Sequence, residues 1–175
     1  METTTVRASL HSREHERLRA LMACNMLDTG PEPAFDELTR LAARLCGAPI
    51  AVVSLVDEAR QWFKSVQGLA VRETPRDVSF CGHAIHQDNA MVVPDALADE
   101  RFADNPLVTG DPGIRFYAGQ PLIGPDGAKL GTLCIIDRQP RELSDSDRLA
   151  LQDLATMAET ELEVSRMSNA QAELL

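Results

Sequence analysis

The chain has 175 residues, of which 44% are hydrophobic, and this is enough to bury the core of one domain. Its 17 basic and 27 acidic residues give a formal net charge of -10, which argues against a nucleic-acid partner because such partners need cations that neutralise phosphates. The polar N-terminus has no apolar core of signal-peptide length, and no apolar run is long enough to span a membrane. We therefore expect a cytoplasmic protein with no membrane partner.

Two helices are predicted ahead of the first strand. The first covers about residues 12–26, starts at Ser12, and places Arg17 away from an apolar face made of Leu18, Leu21 and Met22. A breaker segment, 28–33, separates it from the second helix, which ends at Gly47, the residue best suited to a left-handed C-terminal cap. Both helices have an apolar face that requires a sheet to pack against.

The sheet follows, with a core predicted over about residues 32–143. Strands are predicted at 50–56, 61–66, 91–93, 114–123 and 130–137. The first and last of these are apolar on both alternations, which is typical of central strands covered on both faces. The Pro-Asp-Gly turn at 125–127 predicts a hairpin between the last two. The expected fold is therefore α+β, with a largely antiparallel sheet.

A long C-terminal helix is predicted over about residues 145–168. Ser144 is its expected N-cap, and Asp147 adds negative charge to the first turn, which favours the helix dipole. Its apolar stripe is Leu151, Leu154, Ala155, Ala158 and Leu162. From this stripe we predict that the last helix joins the N-terminal helix in a homodimer interface.

Candidate ligand-binding residues follow from strand alternation. Arg115, Tyr117 and Gly119 alternate onto one face of the strand 114–123, which combines a cation, a hydroxyl and free space for a polar or anionic ligand. Further wall candidates are Phe80, His83, Asp95, Phe102 and Asn105. Alternatively, Arg115 pairs with Asp95 or Asp104 and Tyr117 packs against Phe102 without any ligand.

The cysteines and histidines predict neither a disulfide framework nor a metal site. Four scattered cysteines in apolar surroundings fit reduced, buried thiols: Cys24, Cys46, Cys81 and Cys134. On a helix, His83 and His86 lie on one side and Cys81 roughly opposite, so they do not converge on one ion. Cys81 shares its face with Ala84 and Ile85, which is typical of a core-facing thiol.

Five blocks in order resemble a GAF domain of the kind found at the start of bacterial sensor kinases and cyclic-dinucleotide signalling proteins. They are 53–57, 61–65, 79–85, 93–96 and 115–119. The resemblance covers about residues 16–162, and we treat 1–175 as a single domain. It implies an antiparallel sheet of five to six strands, terminal helices on one face and a small-molecule pocket on the other. It also implies a dimer that passes a ligand or redox state to an output domain such as a kinase or cyclase.

The resemblance leaves the ligand open, because one fold serves many functions. GAF domains that attach a bilin have a Cys-His pair, whereas Gly82 separates Cys81 from His83 here. The pattern of cyclic-nucleotide-binding members is not found in the right order. A haem is not expected either, because His83 is its one reasonable axial ligand and a lone histidine on a short helix is more often a hydrogen-bonded structural residue. The small-molecule ligand is expected to contact Arg115, Tyr117, Cys81 and the other wall residues.

Some GAF proteins resemble free methionine sulfoxide reductases, in which two pocket thiols attack and resolve the sulfoxide. Cys81 is near one such position, but the segment 110–114 contains no cysteine, and Cys134 on a central strand is not an obvious partner. We therefore expect that the protein is not an enzyme. The leading hypothesis is a regulatory binding module, followed by a dimerisation scaffold without ligand and then by the thiol enzyme.

Overall fold

The computed structural model describes residues 5–174, so both ends of the predicted domain, 1–4 and 175, lie outside the described residues. The described part of the chain contains five α-helices: α1 (Glu14–Ala23), α2 (Pro33–Cys46), α3 (Phe80–Ala84), α4 (Pro106–Thr109) and α5 (Asp145–Glu173). The six strands are β1 (Ile50–Val56), β2 (Arg60–Gln67), β3 (Glu73–Pro75), β4 (Met91–Val93), β5 (Phe116–Ile123) and β6 (Lys129–Asp137). Single turns of 3₁₀ helix occupy 76–78, 96–98 and 125–127.

The six strands form one antiparallel sheet in the order β3-β2-β1-β6-β5-β4. This confirms the predicted α+β class. The apolar strands β1 and β6 are central neighbours, as strands without a polar face must be, because both of their faces are covered. The short strand β3 was not predicted, since it has only three residues with no apolar pattern, two of them exposed, and it exists only through pairing with β2.

The two faces of the sheet carry separate apolar clusters. One cluster unites α1, α2 and α5 with the sheet residues that include Val53 and Phe116. The other unites α3 and the segments around it with the opposite sheet face, including Val52 and Tyr117. The prediction of terminal helices on one face and short helices and loops on the other is therefore confirmed. A cavity on the second face is separated from α1, α2 and α5 by the sheet alone.

The helix ends agree with the prediction at α2 and at the start of α5. Gly47 takes the left-handed conformation at φ 59°, and the Ser144 hydroxyl accepts a hydrogen bond from the Asp147 amide at 3.0 Å. The expected extent of α1 was too long: it begins at Glu14, its N-cap residue Arg13 makes no side-chain capping bond, and Ser12 does not cap it. In contrast, α5 continues to Glu173, five residues beyond its predicted end.

The faces of α1 and α5 differ from the prediction. Arg17 is buried and Met22 exposed, because the Arg17 guanidinium is neutralised by Glu14 and also donates to the Lys129 carbonyl. The stripe on α5 from Leu151 to Leu162 is buried in the helix-side cluster of its own chain. That stripe therefore cannot form the predicted homodimer interface. No helix among residues 5–174 combines the length and apolar character that a membrane crossing requires.

An irregularity in β2 decides which of its residues face the second side of the sheet. Ser65 pairs with Val53 and Phe63 pairs with Ser54, so Lys64 is an extra residue in the ladder. Lys64 is fully buried on the helix side, where its ammonium pairs with Glu32 and donates to the Thr29 hydroxyl and the Gly30 carbonyl. As a result, Phe63 lies on the opposite face, beside the cavity described next.

Candidate functional site

A cavity of about 160 Å³ lies between the sheet and the segments that cover its second face. Its floor is contributed by β1, β2, β5 and β6: Val52, Ser54, Gln61, Phe63, Tyr117, Cys134 and Ile136. Its walls and roof are Leu69, Ala70, Val71, Thr74, Phe80, Cys81, Leu107, Asp111, Pro112 and Ile114. Ala70, Val71 and Asp111 are exposed, which places the mouth of the cavity between the β2–β3 loop and the loop after α4.

The roof helix α3 is held over the sheet by its own N-cap. The Ser79 hydroxyl accepts from the Gly82 amide at 3.0 Å and donates to the Arg76 carbonyl at 2.7 Å. This arrangement directs the Cys81 side chain down towards the sheet, where its sulfur lies 3.2 Å from the Tyr117 hydroxyl and 3.1 Å from the Thr132 hydroxyl. The thiol therefore lies at the bottom of the cavity and not at its rim.

A row of polar side chains crosses the apolar floor from β5 to β3. Tyr117, Cys134 and Thr132 form one end of this polar row, together with Cys81 from above. Ser54, the strand partner of Thr132, hydrogen-bonds to the Gln61 side chain at 3.4 Å, and Gln61 donates to the Thr74 hydroxyl at 2.5 Å. This polar row consists of Tyr117, Cys134, Thr132, Ser54, Gln61 and Thr74. A ligand in the cavity therefore meets hydrogen-bonding groups on one side only.

The two thiols of the cavity differ in acidity. The hydrogen bond from Cys134 lowers the pKa of Cys81, against the effect of burial, and hydrogen bonds from Thr132 and Tyr117 lower it further. The same bond, together with burial, raises the pKa of Cys134 well above its ordinary value. Burial likewise raises the pKa of Tyr117. These effects lower the pKa of Cys81 relative to that of Cys134.

Three of the predicted site residues line the cavity: Phe80, Cys81 and Tyr117. The expectation that Gly119 leaves room for a ligand is wrong, because the Tyr117 ring covers Gly119 and a β-carbon there would collide with its hydroxyl. The predicted packing of Tyr117 on Phe102 is indirect. Tyr117 contacts Phe80 at a centroid distance of 5.1 Å, and Phe80 stacks on Phe102 at 4.0 Å.

Arg115 does not reach the cavity, contrary to the prediction. The strand β5 begins one residue later, and the Arg115 guanidinium donates to the carbonyls of Val108 at 2.8 Å and Ile114 at 3.0 Å. Within the described chain it pairs with neither Asp95 nor Asp104, so the alternative interpretation of Arg115 is also wrong. Its charge is used to hold α4, because the carbonyls at the end of that helix need donors.

The remaining predicted wall residues lie outside the cavity lining. Asp95 accepts from the Leu97 amide and caps the turn 96–98. Asn105 caps α4 through the Leu107 amide and donates to the Val78 carbonyl at 2.9 Å, so it fixes the segment ahead of α3. His83 approaches the Val6 carbonyl at 3.3 Å on the outer side of α3, and Phe102 lies between it and Phe80. These residues build the roof but do not line the space beneath it.

Sequence reasoning missed Cys134, Ser54 and Gln61 as floor residues. Their one signal was polarity within otherwise apolar strands, which alone does not say which face they occupy. Cys134 was not regarded as an obvious partner for Cys81, yet both thiols line the same cavity. Across residues 5–174, no group of three or more His, Cys, Asp or Glu side chains is arranged to hold a metal ion.

Comparison with known proteins agrees with this geometry. The profile of the GAF domain matches residues 30–162. The chain belongs to the GAF domain family. The match spans α2, the whole sheet and most of α5, so it includes every element that forms the cavity.

A curated relative of this GAF domain is a cyclic di-GMP phosphodiesterase of Pseudomonas aeruginosa. It is 41% identical over 157 residues, which cover 89% of this chain but 27% of that protein. This chain therefore spans about a quarter of the length of its relative. The relative is named as an enzyme, and this corrects the expectation, based on the sequence, that the protein is not an enzyme. It is also a phosphodiesterase, and not the kinase or cyclase that we expected for the output.

Solved structures share the fold. The GAF domain of the Acinetobacter phosphoenolpyruvate-protein phosphotransferase matches with a TM-score of 0.64 at 15% identity, covering 89% of this chain and 98% of that one. The free methionine-R-sulfoxide reductase of Neisseria meningitidis, in complex with its substrate, matches with a TM-score of 0.63 at 22% identity, covering 92% and 99%. At these identities the likeness extends to the fold alone.

Proposed function

We propose that residues 1–175 form one small-molecule-sensing regulatory domain of a bacterial signal-transduction protein, in which the ligand biases a dimeric helical output. The output that we propose is cyclic di-GMP hydrolysis. The support for this output is the phosphodiesterase relative, which matches almost the whole of this GAF domain. In this proposal the GAF domain controls the activity, and the catalytic residues for the nucleotide lie in another segment of the protein.

The observation that carries the proposal is the cavity on the second face of the sheet and the chemistry of its lining. Among residues 5–174, the lining contains no Lys, Arg or His, and its one acidic residue, Asp111, is at the mouth. An anionic ligand would be buried without a counter-charge, and burying an unpaired charge costs far more free energy than burying a neutral molecule. The expected ligand is therefore neutral and mainly apolar, with a hydrogen-bonding group directed at the polar row. This replaces the polar or anionic ligand inferred from Arg115.

The size of the cavity restricts the ligand to about one ring. A buried apolar cavity of about 150 Å³ is known to bind benzene, and the volume here, about 160 Å³, is similar. A free amino acid would bring both a carboxylate and an ammonium into this lining with no fixed cation to meet the carboxylate. The geometry thus favours a neutral metabolite over an amino-acid substrate.

The sheet offers a direct route from the cavity to the helical output. Tyr117 and Cys134 lie on the cavity face of β5 and β6, and α5 packs on the other face of these strands. A ligand that displaces Tyr117 would shift the strand residues next to it, including Phe116 and Ala118, which belong to the helix-side cluster. We propose that this displacement changes the packing of α5 and so the geometry of the dimer.

The dimer surface that we propose is the exposed face of α5. Four apolar residues on this face are each more than half exposed: Met157, Val164, Met167 and Leu174. They are spaced by seven, three and seven residues, which is the a/d pattern of a coiled coil. The occupant would be the same helix of a second copy, because a helix with such a stripe buries it best against its own equivalent. This surface also supports the second candidate function, a dimerisation scaffold without ligand.

The experiment is a matched pair of probes on the purified chain. Benzyl alcohol is neutral and benzoate is its anionic counterpart, and both have one ring. We expect benzyl alcohol to raise the melting temperature in a concentration-dependent way, whereas benzoate leaves it unchanged. Native mass spectrometry of freshly purified protein would look for a co-purifying molecule. If neither probe shifts the melting and nothing co-purifies, the sensing function fails and the scaffold remains.

A further inference from the structure

We propose that Cys81 and Cys134 form an oxidisable dithiol in the cavity, which a small peroxide converts to an intramolecular disulfide between α3 and β6. The disulfide would form in the same cavity as the proposed ligand, but its formation does not require reversible ligand binding. The oxidants would be hydroperoxides small enough to pass the cavity mouth.

The positions of the two sulfurs follow from contacts on neighbouring strands. Cys81 lies between the hydroxyls of Tyr117 and Thr132, at 3.2 and 3.1 Å. Thr132 and Cys134 are two residues apart on β6 and share the cavity face. The Tyr117 hydroxyl lies over Gly119, the strand partner of Cys134. These contacts place Cys81 over the part of the floor that contains Cys134, and both thiols line the cavity.

Access and freedom to move also favour a reaction at this pair. Both thiols line the cavity, whose mouth is formed by exposed residues, so a small oxidant reaches them without unfolding. Cys81 belongs to a helix of five residues, and Cys134 belongs to the central strand β6. The short helix can adjust to disulfide geometry, while the strand remains fixed.

The peroxide oxidises the two thiols to the disulfide in two steps. The Cys81 thiolate attacks one oxygen of the peroxide, an S–O bond forms, the O–O bond breaks, and the leaving hydroxide or alkoxide takes a proton. Cys134 then attacks the sulfur of the Cys81 sulfenic acid, the S–S bond forms, the S–O bond breaks, and hydroxide leaves with the Cys134 proton as water. The dithiol loses two electrons and two protons, and hydrogen peroxide is reduced to two molecules of water.

The different pKa values of the two thiols indicate which one attacks the peroxide and which one attacks the sulfenic acid. Hydrogen bonds from Cys134 and the two hydroxyls lower the pKa of Cys81, which makes it the attacking thiolate. Cys134 has a raised pKa and keeps its proton until the second step. The other thiols serve as internal controls, because burial raises the pKa of both Cys24 and Cys46 to about 11 and they lie in the helix-side cluster.

The test uses the full chain treated with hydrogen peroxide, followed by alkylation of free thiols, digestion without reductant and mass spectrometry. We expect a peptide pair joined through Cys81 and Cys134 and lighter by two hydrogens, with Cys24 and Cys46 still alkylated. Oxidation at Cys81 should exceed that at Cys24 by about tenfold or more, as its larger thiolate fraction implies. Wild-type protein without this linkage, or with equal oxidation at Cys24, overturns the proposal.

Variants separate the two roles. Cys134→Ser should stop the reaction at a Cys81 sulfenic acid that dimedone traps, Cys81→Ser should abolish both products, and the control Cys46→Ser should leave the disulfide intact. Disulfide formation that survives in Cys81→Ser would contradict the assignment. If Cys81→Ser fails to fold, Cys81→Ala takes its place. The presence or absence of the linkage in the wild-type protein still decides the proposal. If the protein forms the disulfide but benzyl alcohol does not raise its melting temperature, the sensing function is refuted and the dithiol proposal stands.

Discussion

The Glu14 carboxylate on α1 accepts hydrogen bonds from Arg76, in the turn that leads into the roof helix α3. The same carboxylate pairs with Arg17, at 2.9 Å to both its Nε and its Nη2. Arg17 is 1% exposed and Arg76 is 8% exposed, so two nearly buried cations share one carboxylate. Glu14 thus joins the N-terminal helix to the segment that carries Cys81.

Replacing Glu14 by Gln should destabilise the fold, because it leaves two buried guanidinium groups without a counter-charge. We expect the free energy of unfolding in urea to fall by about 3 kcal/mol. Glu16→Gln on the same helix is the matched control, since Glu16 pairs with Arg13 in solvent and such pairs contribute about 0–1 kcal/mol. Equal losses in the two variants would contradict the anchoring role of Glu14.

Acid should weaken the same anchor. Burial acts to raise the pKa of Glu14, but hydrogen bonds from Arg17 and Arg76 outweigh it and lower the pKa from 4.5 to about 2. A depressed carboxylate pKa stabilises the folded state fully above pH 4.5, and this contribution disappears as the pH falls towards 2. The difference in unfolding free energy between wild type and Glu14→Gln should therefore shrink across that window. A constant difference would exclude the ion pair as its cause.

A larger side chain on β1 should affect stability differently on the two faces of the sheet. Val52 lines the cavity, whereas its neighbour Val53 faces the packed helix-side cluster. We expect Val52→Phe to keep the unfolding free energy within about 1 kcal/mol of wild type, because the ring fills existing space, and to abolish the benzyl alcohol shift. Val53→Phe should cost about 1–3 kcal/mol by overpacking. The reverse order of stabilities would show that the cavity is not a real space.

The proposed dimer should depend on the exposed stripe of α5. Val164→Glu places a charge within the stripe and should raise the dimer dissociation constant by at least about tenfold, or about 1.4 kcal/mol. Ala172→Glu is the control, since it adds the same charge to the same helix outside the a/d positions. Light scattering at micromolar concentration measures both. A monomeric wild type, or equal dissociation of the two variants, would refute the coiled-coil interface.

Local sequence patterns were sufficient for much of the scaffold. Strands β1 and β4 have the predicted bounds, because Ile50–Val56 and Met91–Val93 are short β-branched and apolar runs between turn-forming residues. Gly47 and Ser144 end and begin helices as predicted, since each acts through its own backbone or hydroxyl within one turn. The ordered blocks along the chain also indicated the family correctly.

The site depended on relationships between distant residues. Tyr117 and Cys81 were predicted, but Arg115 was placed in the pocket by an alternation that does not hold before β5 begins. Its guanidinium instead donates to a carbonyl at the end of α4, seven residues earlier, which strand alternation cannot indicate. Cys134 was set aside although it lines the same cavity as Cys81, on the strand position paired with Gly119.

The sequence by itself determined the secondary structure of the central strands, the capped helices and the family, because these follow from contacts within a few residues. The tertiary structure alone decided that Cys81 and Cys134 line one cavity, that Lys64 turns away from it and that, within residues 5–174, its lining contains no cation for an anionic ligand. Strand register and helix placement determine these pairings, and both arise from the burial of side chains far apart in the chain.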